Sequence, residues 1–122
     1  MDPVSRLGVV GCGLMGSGIA EVAARSGIDV RVAEATPDAL ETGRRRLTAS
    51  LDRALRNHKL SEEQRDRALA KVSFTHDLAD MADRQFVIEA VAENRDIKTD
   101  VLRALDKAVE DPAAVLATNT SS

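Results

Sequence analysis

Residues 7–27, Leu-Gly-Val-Val-Gly-Cys-Gly-Leu-Met-Gly-Ser-Gly-Ile-Ala-Glu-Val-Ala-Ala-Arg-Ser-Gly, decide the fold of this chain. A short apolar strand leads into a turn that carries Gly11, Gly13 and Gly16 in the spacing G-x-G-x-x-G, and a helix follows. Glycine lets the backbone approach a pyrophosphate because it has no Cβ, and the helix N-terminus presents N–H groups to the negative charge. The stretch therefore predicts a dinucleotide site.

The context of the three glycines decides their meaning, because the same spacing also occurs by chance and in unrelated phosphate-binding folds. A dinucleotide motif requires a preceding strand, a following helix and an acidic residue about 20 positions on, at the end of a second strand. Residues 6–10, 14–26 and 29–34 supply these elements, and Glu34 would accept hydrogen bonds from both hydroxyls of the adenine ribose. The alternative is a solvated acid at a strand end. Because Glu34 would repel a 2′-phosphate and residues 35–37 contain no arginine, NAD is preferred over NADP.

Composition narrows the class of protein. The 122 residues are enough for one domain, with 43% hydrophobic and 30% charged residues. Two Phe, no Tyr, no Trp and a net charge of −3 argue against nucleic-acid binding. A single cysteine, Cys12, no secretory signal and no apolar run of about 20 residues predict a soluble cytoplasmic protein without a membrane partner.

Basic residues are concentrated in residues 43–71, where nine Lys and Arg face four acids, a net +5 that leaves −8 for the rest. Thr36-Pro37 predicts a helix start, continuing to about residue 57, and Ser61 with Gln64 predicts a capping box that opens a second helix to about residue 70. A plain βαβ unit needs only one crossover helix. The added pair predicts a site for a second, phosphate-bearing ligand; a solvated charged helix face explains the composition equally well.

The rest of the chain continues the alternation of strands and helices. Strands are expected at residues 72–74, 85–91 and 113–118, with a helix over 94–110. Glu89 lies within an apolar strand and is expected near its carboxyl end or hydrogen-bonded there. The fold class is α/β, a Rossmann-type doubly wound and mostly parallel sheet with a helix-turn-helix insertion after the second strand. Ligands of such sheets bind beyond the carboxyl ends of the strands, where Glu34, Glu93 and Asn119 are expected to converge.

Three stretches resemble one known family, the NAD-dependent 3-hydroxyacyl-CoA dehydrogenases, and in particular the short bacterial 3-hydroxybutyryl-CoA dehydrogenases. They are Gly-Cys-Gly-Leu-Met-Gly-Ser-Gly-Ile-Ala at 11–20, Val-Ile-Glu-Ala-Val-Ala-Glu-Asn at 87–94 with Lys98, and Ala-Thr-Asn-Thr-Ser-Ser at 117–122. The resemblance implies that residues 1–122 are one NAD-binding domain with the helical pair inserted at 37–70. It also implies that the family's helical second domain is absent and that the full-length protein is a homodimer acting on an acyl-CoA.

The resemblance assigns roles to individual residues. Ser121 would orient the reacting 3-oxygen of the substrate, and Ser50 would contact CoA. Because Asn57 stands where the family usually has a lysine, the phosphate contact would pass to Arg56 or Lys59, or be weaker. From the sequence alone, Ser121 could equally be a loop serine, and Glu93 with Lys98 an exposed pair at a helix start. The implied cofactor contacts are Gly11, Gly13, Leu14, Met15, Gly16, Glu34, Glu93, Lys98, Asn119 and Ser121.

Hydride transfer from a 3-hydroxyl also needs a general base. The resemblance places that base, a His paired with a Glu, beyond residue 122, and His58 and His76 do not match it. Two separated histidines without neighbouring ligands predict no metal site. The 122 residues alone are therefore expected to bind NAD and to be nearly inactive. Two alternatives stay open: a stand-alone dinucleotide-binding regulatory module, and a dehydrogenase of a small 3-hydroxy acid.

Overall fold

Strands and helices alternate along the chain in the computed structural model, which describes residues 5–11, 13–90, 95–109 and 115–118. A short 3-10 helix at Leu78–Met81 precedes the fourth strand. The other elements are β1 (Arg6–Val10), α1 (Leu14–Arg25), β2 (Asp29–Ala33), α2 (Pro37–Arg56), α3 (Glu62–Ala70), β3 (Val72–Thr75), β4 (Phe86–Glu89), α4 (Arg95–Ala108) and β5 (Val115–Thr118).

The strands form one parallel five-stranded sheet in the order β3-β2-β1-β4-β5, which confirms the predicted Rossmann-type fold. The chain builds outward from β1 in one direction through β2 and β3, and in the other through β4 and β5. The strand order therefore reverses between β1 and β4. In open α/β sheets such a switch point opens a crevice at the carboxyl ends of the strands, and ligands bind there.

The main core lies between the sheet and the helices α1, α2 and α3. Alternate residues of β1 and β2 face this layer, and Leu47 and Leu51 of α2 are fully buried against it. α1 contributes small residues, since Ala20, Ala23 and Ala24 are buried. Val22 of the same helix is 66% exposed. Alanines on the inner face let the helix lie close to the sheet, and Val22 falls outside that face.

The predicted helix starts of the inserted pair are confirmed. The Thr36 hydroxyl accepts a hydrogen bond from the Ala39 N–H at 3.1 Å, and Pro37 occupies the first turn of α2. Ser61 and Gln64 form the reciprocal capping box of α3, with both bonds at or below 3.1 Å. The insertion after β2 thus consists of two helices whose first turns are capped by their own side chains.

The expected strand bounds were too generous at two strands. β2 ends at Ala33 rather than residue 34, and β4 covers Phe86–Glu89 of the expected 85–91, of which residue 91 lies outside the described residues. β5 covers Val115–Thr118, and residues 113 and 114 of its expected range also lie outside the described part. β3 is one residue longer than expected, to Thr75. Apolar sequence continues beyond the paired backbone of β4, and strand ends are set by the register with the neighbouring strands rather than by hydrophobicity.

A buried arginine joins the amino ends of the strands and was not anticipated from the sequence. Arg84 is 1% exposed; its guanidinium pairs with Asp29 at 2.8 Å and Asp83 at 2.9 Å and donates to the Leu7 and Asp29 carbonyls. Gly8 makes room for it, because a Cβ there would lie 2.6 Å from the Met81 sulfur and 3.2 Å from the Arg84 side chain. The network ties β1 and β2 to the start of β4.

Candidate functional site

The glycine turn between β1 and α1 is built around two positions that require glycine. Gly11 has φ +95°, a left-handed conformation that other residues rarely adopt, and its N–H donates to the Ala33 carbonyl at 2.8 Å. A Cβ on Gly16 would lie 1.9 Å from the Gly11 carbonyl oxygen. These glycines therefore shape the turn itself and bring it against the end of β2.

Gly13 is different, because the fold does not require glycine there. Its φ of −72° and ψ of −162° are accessible to any residue, and a Cβ would meet no described protein atom within 4 Å. Gly13 is the N-cap of α1, and its carbonyl accepts the first helical bond from the Ser17 N–H at 2.9 Å. Among the described residues, nothing fills the space beside Gly13 at the helix N-terminus, and a pyrophosphate needs this space to approach.

The first turn of α1 also differs from those of α2 and α3. Gly13, the N-cap, has no side chain that could accept hydrogen bonds from the first N–H groups of α1. The first turn also contains no acidic residue that would compete with or repel a bound anion. The next two side chains, Leu14 and Met15, are 84% and 49% exposed. Uncapped N–H donors therefore meet the open space, flanked by exposed apolar groups, and the residues present fit a dinucleotide phosphate.

Glu34 follows β2 directly, at the same edge of the sheet as the glycine turn. It is half-buried, and its N–H donates to the Thr75 carbonyl at 3.0 Å. The bond from Gly11 to Ala33, the residue before Glu34, holds the two strand ends together. This is the place from which an acidic side chain reaches the adenine ribose in dinucleotide-binding folds.

A groove of about 530 Å³ runs between α1 and α2 and begins at the glycine turn. Leu14 of the turn forms part of its wall, and Ser50 lies in it as predicted for a substrate contact. Arg56 does not line it. The cationic wall consists instead of Arg45, Arg46 and Arg53, of which Arg45 is paired with Glu41 at 3.3 Å. The full lining is Leu14, Ser17, Gly18, Thr42, Arg45, Arg46, Ala49, Ser50 and Arg53.

The groove arginines were counted in the sequence as part of the basic stretch but were not given a place. Residues 42, 45, 46, 49, 50 and 53 recur at intervals of three and four, the spacing of one helix face. That periodicity is the signal in the sequence from which the groove wall could be predicted.

Several of the predicted site residues lie outside the part of the chain that the structure describes. Glu93, Asn119 and Ser121 lie outside the described residues, as does Cys12. Lys98 lies in α4, but its side chain is outside the described part. His58 and His76 are exposed.

The described part of the chain contains neither a metal site nor a membrane-spanning helix. It contains no group of three or more His, Cys, Asp or Glu side chains that could hold a metal ion. It also contains no helix that is both long and apolar enough to cross a membrane.

Comparison with known families gives one match, to the family described as 3-hydroxyacyl-CoA dehydrogenase, NAD binding domain, over residues 6–122. Among curated proteins, the chain is similar to a 3-hydroxybutyryl-CoA dehydrogenase of Mycobacterium tuberculosis, 52% identical over 121 residues. That similarity covers 99% of this chain but 42% of the relative. The chain thus spans less than half the length of the relative it matches.

Solved structures agree with this match. The crystal structure of FadB2 from M. tuberculosis superposes with a TM-score of 0.97 at 52% identity, covering 99% of this chain and 42% of that one. The (S)-3-hydroxybutyryl-CoA dehydrogenase PaaH1 from Ralstonia eutropha gives 0.93 at 34% identity, covering 98% and 42%. The fold described above thus also occurs in a known 3-hydroxybutyryl-CoA dehydrogenase.

Proposed function

This chain belongs to the family of 3-hydroxyacyl-CoA dehydrogenase NAD binding domains, and on that premise we propose that it is the cofactor-binding part of a 3-hydroxybutyryl-CoA dehydrogenase. The whole enzyme would reversibly transfer a hydride between C3 of a 3-hydroxyacyl-CoA and NAD. The observation that carries the proposal is the juxtaposition of two sites that share Leu14: the open, uncapped N-terminus of α1 and the arginine-lined groove.

The cofactor is held in this proposal by backbone and by one carboxylate. The N–H groups of residues 13–16 bind the pyrophosphate, and Gly11 and Gly16 give the turn its shape. Glu34 accepts hydrogen bonds from the adenine ribose. Glu93, Lys98 and Asn119 are proposed to contact the nicotinamide half. Bound NAD supplies the hydride acceptor, and the chain's residues supply binding and orientation.

The acyl-CoA substrate is proposed to place phosphate groups in the groove between α1 and α2. Ser50 donates a hydroxyl hydrogen bond and Arg53 a charge-assisted one, while Arg45 and Arg46 add positive charge along the same wall. Arg56 is exposed outside the groove and contributes long-range attraction. A small free 3-hydroxy acid carries no phosphate that could bind along this basic wall, so the groove favours an acyl-CoA substrate over it.

Chemistry on the substrate needs two groups near C3. Ser121 is proposed to orient the 3-oxygen, and a general base must take the hydroxyl proton. Because His58 and His76 are exposed and His58 lies in the turn after α2, neither is proposed as that base. In this proposal, residues 1–122 bind NAD(H) and CoA but catalyse the hydride transfer only slowly. Dimerisation of the whole enzyme and its cytoplasmic location remain predictions.

The test is a set of calorimetric titrations of the chain with NADH, NADPH and CoA. NADH should bind at least about tenfold more tightly than NADPH, because Glu34 repels a 2′-phosphate. Arg53→Glu should weaken CoA binding about tenfold and leave NADH affinity unchanged. Arg67→Glu is the matched control, since this exposed arginine of α3 lies outside the groove. Tighter NADPH binding would overturn the cofactor assignment, and equal CoA affinity of both variants would overturn the substrate assignment.

A further inference from the structure

Glu89 is a buried carboxylate that none of the roles above uses. It is 0% exposed and is the last residue of β4, on the same face of the strand as the buried Val87. Its side chain is engaged in a polar interaction and does not belong to the unpartnered buried atoms of the described residues. A carboxyl group buried in a strand core needs polar partners to offset its lost hydration, so its presence there calls for a reason.

The position of Glu89 in the sheet suggests that reason. Its register neighbours are Val10, which ends β1 before the glycine turn, and Thr118, which ends β5. β1 and β4 flank the switch point of the strand order, so Glu89 lies at the base of the crevice where a dinucleotide binds. In such folds one half of the sheet serves the adenine nucleotide and the other half, here beginning with β4, serves the second nucleotide.

The buried cation of the described core cannot be the partner of Glu89. Arg84 precedes β4, whereas Glu89 ends it, and the Arg84 guanidinium is already taken up by Asp29, Asp83 and two carbonyls at the amino ends of the strands. The partner of Glu89 therefore lies elsewhere, and Glu89 itself, as the last residue of β4, stands at the carboxyl edge of the sheet.

We propose that Glu89 is a positioning residue for the nicotinamide half of the cofactor. Its carboxylate holds the paired ends of β4 and β5 at the crevice, and these strand ends in turn orient the groups that contact the nicotinamide nucleotide. The adenine half depends on the glycine turn and Glu34, on the other side of the switch point, and does not need Glu89. The inference rests on the proposed binding of NAD by this chain.

The experiment compares two ligands that share the adenine half. ADP-ribose carries the adenosine and the pyrophosphate, and NADH adds the nicotinamide. In calorimetric titrations, Glu89→Gln should weaken NADH binding about tenfold while changing the affinity for ADP-ribose less than twofold. Asp29→Asn is the control: it weakens the pairing of Arg84 at the opposite edge, should lower the melting temperature, and should leave the NADH to ADP-ribose affinity ratio as in the parent chain.

Each outcome decides something. Equal weakening of both ligands, or no weakening of either, overturns the role of Glu89. Failure of the unsubstituted chain to bind either ligand overturns the proposed function instead. Should Glu89→Gln not fold, the ¹³C-labelled carboxyl resonance of Glu89 in the unsubstituted chain answers the same question. It should shift on saturation with NADH and not with ADP-ribose, and the absence of a shift with NADH contradicts the proposal.

Discussion

The polar groups at the two edges of the sheet differ in their partners. At the amino edge, Arg84 is buried with its donors taken by Asp29, Asp83 and the carbonyls of Leu7 and Asp29. At the carboxyl edge, the first turn of α1 has no side-chain cap at Gly13, and the space before it is open. One edge is closed by the protein's own groups, whereas the other offers donors to a ligand.

The glycines show the same division. Gly8, near the amino edge, is needed because Met81 and Arg84 fill the space where its Cβ would lie, so its role is internal packing. Gly13, at the carboxyl edge, faces no described protein atom, so its role depends on what binds. Stability and ligand binding therefore depend on opposite ends of the strands. A substitution at one end should change one of these properties and leave the other unchanged.

The largest effect on stability is expected from Arg84→Met. The variant fills the space but leaves the Leu7 and Asp29 carbonyls without their donor and removes two ion pairs. We expect a loss of about 3 kcal/mol in the free energy of unfolding, or roughly 10 °C in melting temperature, by thermal and denaturant unfolding. NADH affinity of the folded variant should stay within twofold of the parent.

Arg65→Met provides the comparison for that variant. Arg65 pairs with Asp52 and Asp66 on the helical pair, where the partners are more solvated, so the free energy of unfolding should fall much less than for Arg84→Met. Equal losses for the two variants, or a large fall in NADH affinity for Arg84→Met, would show that the two edges are not separable.

A smaller effect is expected from Asp83→Asn, and it should depend on pH. The hydrogen bond from Arg84 is the main cause that lowers the pKa of Asp83 below its usual 3.8. A carboxylate with a lowered pKa in the folded state stabilises the protein above its unfolded pKa and loses that contribution as pH falls through the folded value. The melting temperature of Asp83→Asn should therefore lie a little below the parent's at pH 7 and approach it below about pH 4.

The control for the pH experiment is Asp106→Asn, an exposed aspartate on α4 that takes no part in the ion pairs of Arg84. Its melting temperature should follow that of the parent at every pH. A difference between Asp83→Asn and the parent that stays constant down to low pH would mean that Asp83 does not contribute through its ion pair with Arg84.

The sequence was sufficient for the elements and their order because local signals agreed with one another. Thr36, Ser61 and Gln64 form the caps that their positions predict, and Glu89 is buried at the end of its strand as expected. The glycine turn has the left-handed Gly11 and the close approach at Gly16 that the motif requires. These features depend on residues close together in the chain, so the pattern alone determines them.

What the sequence did not predict depends on contacts between distant residues. Arg84 lies 55 positions from Asp29, and nothing local indicates that an arginine before a strand will be buried. Gly8 was taken as part of an apolar strand, although its role is set by Met81 and Arg84. Likewise, Ser50 and Arg53 line a groove only because α1 packs beside α2.

The central claim is that the carboxyl edge is shaped for a dinucleotide and not for the fold, and Gly13→Ala tests it most directly. Because φ at Gly13 suits any residue and no described atom obstructs a Cβ, the melting temperature should be unchanged or rise slightly. The added methyl group would stand where the pyrophosphate approaches, so NADH affinity measured by calorimetry should fall at least about tenfold. Unchanged NADH affinity in a stable Gly13→Ala variant would contradict the account.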